Sequence, residues 1–222
     1  GYLCATSVKL LQDQGLPHPK CTMIIETCEE SGSFDLPPYL DALSGQLGDP
    51  DMIVVMDSGG PDYNHTWMTE SLRGLVSGTL SVKVSHEGIH SGNSGGSIPS
   101  SFRILRMLLD RVEDSSTGRV LIPEMHTDIS DQIWTKAEAL ADIIGESVWE
   151  QFPTVDSLRQ ASDSTQEMIV AMNWKPTLSI IGADGIPPVQ VAGNVLRTNT
   201  DVKLSFRLPP GVDSELAINK AK

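Results

Sequence analysis

Apolar positions follow two different rhythms along this chain, and the rhythm changes near residue 70. Before that point come continuous runs. Thr22–Thr27 and Met52–Met56 are short stretches in which neighbouring residues are apolar without alternation. Such runs suit strands buried on both faces, as in a parallel sheet. Val8, Leu10 and Leu11 mark a helix ahead of the first run, and Pro38–Leu47 reads as a short helix between the two. The pattern therefore predicts helix, strand, helix, strand over residues 1–60. Ser58-Gly59-Gly60-Pro61-Asp62 then breaks it.

From about residue 72 the period becomes two. Leu80, Val82 and Val84 alternate with Ser81, Lys83 and Ser85, which describes a strand with one wet face. A Gly/Ser-rich loop follows. Pro99 and its flanking serines then open a helix whose Phe102, Leu105, Leu108, Leu109 and Val112 recur at three- and four-residue spacing. Ala137, Leu140, Ile143 and Ile144 mark another helix, and a third ends over Gln166–Asn173. The tail returns to strands over Pro176–Gly182, Val189–Leu196 and Thr200–Leu208. In the last, Val202, Leu204, Phe206 and Leu208 share one face, with Lys203, Ser205 and Arg207 on the other. Antiparallel strands with helices on one face make an α+β domain.

Composition narrows the partners. A net charge of −13, with Lys and Arg spread thinly, argues against nucleic acid or an anionic membrane surface. No apolar run is long enough for a transmembrane helix. Cys4, Cys21 and Cys28 lack the spacing of a disulfide framework or a structural zinc site, which favours a reducing, cytoplasmic setting. The chain starts inside a helix-like pattern without Met or signal peptide and ends on another, so it reads as an internal fragment.

Candidate chemistry sits where strands stop. Glu29 and Glu30 follow the first apolar run and Asp57 closes the second, both at Gly/Ser turns. Carboxyl ends of strands are where open α/β sheets bind ligands. Acids converging there need a cation. On an extended backbone the two glutamates point to opposite sides, so one can bind a metal while the other acts as a general base. Ordinary loop charge, and an Asx-turn at Asp57, account for the same residues. His90, in the loop Ile89-His90-Ser91-Gly92-Asn93-Ser94-Gly95-Gly96, could hold an oxyanion or simply be solvated. Arg207 could grip a carboxylate bidentately, and Asn194 could donate a hydrogen bond or hold a turn. A glycosidase carboxylate pair fits poorly, since adjacent glutamates do not oppose one another across a bond.

Several stretches together resemble a known family. Glu-Thr-Cys-Glu-Glu-Ser-Gly-Ser (26–33), Asp-Ser-Gly-Gly (57–60), Ser-Leu-Arg-Gly (71–74), His-Ser-Gly-Asn-Ser-Gly-Gly-Ser-Ile-Pro (90–99) and Ser-Phe-Arg-Leu-Pro-Pro (205–210) are similar, in order and spacing, to the co-catalytic zinc metallopeptidases. That family takes in carnosinases, cytosolic nonspecific dipeptidases, aminoacylases and glutamate carboxypeptidases, and the carnosinase and dipeptidase branch is nearest. The resemblance implies a lid, a four-stranded antiparallel sheet with helices on one face, inserted into a catalytic α/β domain with a parallel sheet. Residues 1–70 would be part of the catalytic domain, 71–209 the lid or dimerisation domain, and 210–222 the return. It also implies roles: Glu29 as general base, Glu30 and Asp57 as ligands of two divalent ions (zinc or manganese), and His90 as an oxyanion donor reaching into a partner subunit. Asn194, thirteen positions before Arg207, would contact substrate, and Arg207 its terminal carboxylate.

The departures from the family pattern are as informative. No His-x-Asp triplet precedes Glu29 and no candidate histidine follows residue 126. Glu30 and Asp57 alone should hold metal weakly or not at all, leaving the isolated chain inactive. The expectation is a fragment of a homodimeric enzyme acting on dipeptides or N-acyl amino acids. The alternative is a non-catalytic dimerisation or interaction module.

Overall fold

The computed structural model describes residues 1–222, which fold as two compact units, Gly1–Ser58 and Gly59–Lys222. The first contains two helices, α1 (Tyr2–Asp13) and α2 (Leu36–Leu47), with a single 3-10 turn, Glu29–Ser31, between them. No side chain of this unit is buried.

The predicted parallel strands do not form. Thr22–Thr27 and Met52–Met56 carry no ladder, and Met52 and Val55 stand 78% and 79% exposed. Two strands cannot bury both faces of each other. A strand apolar all round needs neighbours on both edges and helices above and below, and a two-stranded ribbon is marginal in water.

The second unit runs β1 (Gly74–Lys83), β2 (Ile89–His90), α3 (Ser91–Ser94), α4 (Ser101–Leu109), β3 (Glu113–Asp114), β4 (Arg119–Val120), α5 (Asp131–Ile144), α6 (Ser147–Glu150), α7 (Thr165–Trp174), β5 (Thr177–Asp184), β6 (Val195–Leu196), β7 (Asn199–Leu208) and α8 (Ser214–Ala221). Its main sheet is antiparallel, in the order β1–β7–β5. It has three strands, not four. The predicted Val189–Leu196 strand shrinks to β6, which pairs with β2 in a separate two-stranded ladder. Pro187-Pro188 accounts for the loss. Pro188 is the N-cap of a 3-10 turn at Val189–Val191, so the chain turns where the strand was expected to begin, and Val189 is 88% exposed.

Register explains the core. Val76 lies opposite Phe206, and Leu80 opposite Val202, so the apolar positions of β1 and β7 share one face. One end of that face packs with Val120, Ile122, Met125 and Ala217 of α8. The other end packs with Ile104, Leu105, Leu108 and Leu109 of α4. Ser100 starts α4 by accepting the Arg103 N–H, and Asp213 starts α8 by accepting the N–H groups of Glu215 and Leu216. These two helices do lie on one face of the sheet. By contrast α5, α6 and α7 form their own cluster around Ala137, Val148, Ile169 and Val170, with no sheet residue in it. The segment 210–222 packs within the second unit, through buried Ala217.

Candidate active site

In the second unit, the β2–β6 ladder brings together residues far apart in sequence. His90 pairs with Val195, and the Ser91 N–H donates to the Asn194 carbonyl at 2.9 Å. His90 and Asn194 are thus neighbours at one end of the fold. The His90 side chain caps the short α3, its Nδ1 accepting the Gly92 N–H at 3.1 Å. Ser94 Oγ closes the turn by donating to the His90 carbonyl at 3.2 Å. The His90 ring is exposed, and Gly88 and Val195, which flank the same ladder, line a groove with Ile186 and Pro187.

Arg207 stands on the polar face of the central strand, with Leu75 and Thr177 as its cross-strand partners. Arg73, which the sequence showed only as part of a motif, joins it. Its Nη1 donates to Thr177 Oγ1 at 3.3 Å, so its side chain runs beside Arg207. Burial, and then the Arg207 charge, lower the Arg73 guanidinium below its usual value. Neither arginine has an acidic partner. The sequence offered only the Ser-Leu-Arg-Gly stretch (71–74) as a signal, since the register that sets Arg73 beside Arg207 is tertiary. Arg207 lies eight positions along β7 from Asn199, the end nearer β6, or about 26 Å at about 3.3 Å per residue.

The acids of the first unit are arranged differently from expectation. Glu29 and Glu30 open a 3-10 turn rather than continuing a strand, so they do not alternate across an extended backbone. Asp57 is close enough to Glu29 to be the main cause of its raised carboxyl pKa, with Glu30 and then burial and Glu26 adding to it. Proximity stops short of a coordination sphere. No group of three or more His, Cys, Asp or Glu in this chain could hold a metal ion. A zinc centre takes three or four protein ligands, so Glu30 and Asp57 as placed do not fit one.

No family model matches the chain. A Saccharomyces cerevisiae protein described as the probable di- and tripeptidase DUG2 is 23% identical over 206 residues, which is 92% of this chain and 22% of that protein. The Cys-Gly metallodipeptidase DUG1 of the same yeast is 27% identical over 191 residues, 86% of this chain and 39% of that one. The chain is similar to both peptidases over most of its own length. The fold agrees with the relationship: the crystal structure of human carnosine dipeptidase 1 superposes with a TM-score of 0.69 at 21% identity, over 97% of this chain and 45% of that one. The chain spans less than half the length of the proteins it matches.

Proposed function

We propose that this chain is the lid-bearing segment of a metal-dependent dipeptidase or carboxypeptidase-type amidohydrolase, which cleaves a peptide or N-acyl amino acid bond. The observation that carries the reading is the closeness of His90 to Asn194, brought about by the His90–Val195 pairing and the Ser91 N–H to Asn194 carbonyl bond, at the opposite end of the second unit's sheet from Arg207. A dipeptide spans about 7 Å, far less than the roughly 26 Å of β7 that separates Arg207 from the end next to β6. His90 and Arg207 of one chain therefore serve different substrate molecules. His90 and Asn194 donate to the substrate of a partner copy, where an oxyanion develops, while Arg207 holds the terminal carboxylate of another substrate. The open edges of β1 and β5 suit a homodimer. Glu29, its carboxyl raised by Asp57, is suited to take a proton from water. Two divalent ions, zinc or manganese, would supply the Lewis acid, but this chain alone does not assemble their ligands. Cys4, Cys21 and Cys28 are all free thiols, which suits a cytoplasmic home, and no helix is long and apolar enough to cross a membrane.

The test is dipeptide hydrolysis by the longer protein carrying this segment. His90→Ala should lower kcat by about 100-fold or more, the usual effect of losing an oxyanion donor. Arg207→Lys should raise KM for dipeptides with a free carboxylate. Mixing His90→Ala and Arg207→Ala protomers should restore activity, since one of the two sites in a mixed dimer is then intact. Unchanged kcat in His90→Ala, or no restoration on mixing, would sink the reading. The 222-residue chain alone should turn over no dipeptide. A second reading, a non-catalytic dimerisation module, draws on the missing metal cluster. It is favoured if the longer protein also neither binds divalent metal nor hydrolyses dipeptides.

A further inference from the structure

We propose that Gly92 is a positioning residue for His90: its backbone N–H holds the imidazole as the Nε2–H tautomer, and its missing side chain leaves room for the ring. The inference rests on the reading of His90 as an oxyanion donor and specifies which atom donates.

The Gly92 N–H donates to His90 Nδ1 at 3.1 Å. A ring nitrogen that accepts a hydrogen bond carries no proton, so in the neutral imidazole the proton is on Nε2. His90 is exposed and Nε2 has no partner within the chain, so what the loop offers outward is an N–H donor rather than a lone pair. A donor suits a developing oxyanion. It cannot ligate a metal or abstract a proton without first giving up the arrangement that Gly92 imposes.

Space makes the same point. A Cβ on residue 92 would lie 3.0 Å from His90 Cε1 and 3.1 Å from Nδ1. Both are closer than ordinary van der Waals contact, so the imidazole rests against the bare Cα of Gly92. Any larger residue displaces the ring or the turn. The turn is held from three sides, by Ser94 Oγ on the His90 carbonyl, the Ser91 N–H on the Asn194 carbonyl and the Gly95 N–H on the Ser91 carbonyl. The ring is therefore the part that must yield, and with it the direction of Nε2–H.

The experiment is a long-range 1H–15N correlation of the imidazoles in the 15N-labelled 222-residue chain, recorded where imidazoles are neutral. His90→Gln assigns the signals. The native ring should show the Nε2-protonated pattern, and Gly92→Ala should convert it to a mixture of tautomers. Gly193→Ala, where an added Cβ meets nothing within 4 Å, should leave it unchanged. An Nδ1-protonated or evenly mixed native ring overturns the inference, whatever the variants do. So does a native pattern that survives in Gly92→Ala. In the longer enzyme, Gly92→Ala should lower kcat about tenfold with KM nearly constant, a part of the 100-fold or more that losing the donor outright costs. Full turnover in His90→Ala would instead refute the oxyanion role, which the tautomer spectrum does not measure.

Discussion

Ser101 Oγ and Thr200 Oγ1 meet 2.7 Å apart in the buried seam between α4 and β7. Each satisfies the other, and no buried side-chain polar atom of the chain is left without a partner. Thr200→Val should cost about 1–3 kcal/mol, because it strands the Ser101 hydroxyl away from water. Adding Ser101→Ala should recover most of that loss, an outcome that urea unfolding of both variants can check. A double variant no more stable than Thr200→Val would refute the pairing. Nothing in the sequence announces this contact, since the two residues lie 99 positions apart. The same holds for His90. As a loop histidine it was legible from its Gly/Ser surroundings, but its capping of α3 and its closeness to Asn194 depend on a ladder between two dipeptides.

At the scale of elements, legibility tracks how much of the burial partner lies nearby. α4 was readable from its three- and four-residue apolar spacing, and β7 from strict alternation, because each presents one apolar face to the other. Leu105 joins them, packed 1% exposed among Val82 and Val202. Leu105→Ala should destabilise the second unit by about 2–5 kcal/mol, the range for deleting a leucine side chain from a tight core. Thermal unfolding followed by circular dichroism would show it, and a loss under about 1 kcal/mol would mean that the seam collapses around the gap. The strand expected at Val189–Leu196 was misread because its valines lack a covering layer, and apolar residues after a Pro-Pro pair say nothing about pairing.

At the scale of the whole molecule, the two units differ in kind. Gly59–Lys222 carries every buried side chain, while Gly1–Ser58 carries a cluster of acids and none. Glu29 holds its proton to higher pH in the folded chain than an ordinary glutamate does, chiefly because of Asp57. A raised folded pKa means stability that is fully present below the unfolded glutamate range and lost as pH rises through the folded value. The first unit should therefore loosen between acid and neutral pH, with faster amide exchange over residues 1–58. Glu29→Gln should flatten that dependence. A wild-type profile identical to that of Glu29→Gln would show that the repulsion carries no weight.

The sequence by itself determined the local periods, and with them the helices α1, α2, α4 and α5 and the strands β1, β5 and β7, because each period reports one face seeking cover. It also singled out Glu29, Glu30, Asp57, His90, Asn194 and Arg207 as residue types in suitable loops and strands. Only the tertiary structure decided which of them meet. It joined His90 to Asn194, set Arg73 beside Arg207, and left Glu30 and Asp57 without the further ligands a metal requires. It also left Thr22–Thr27 and Met52–Met56 unpaired, since an apolar run states that cover is needed while only the rest of a sheet supplies it.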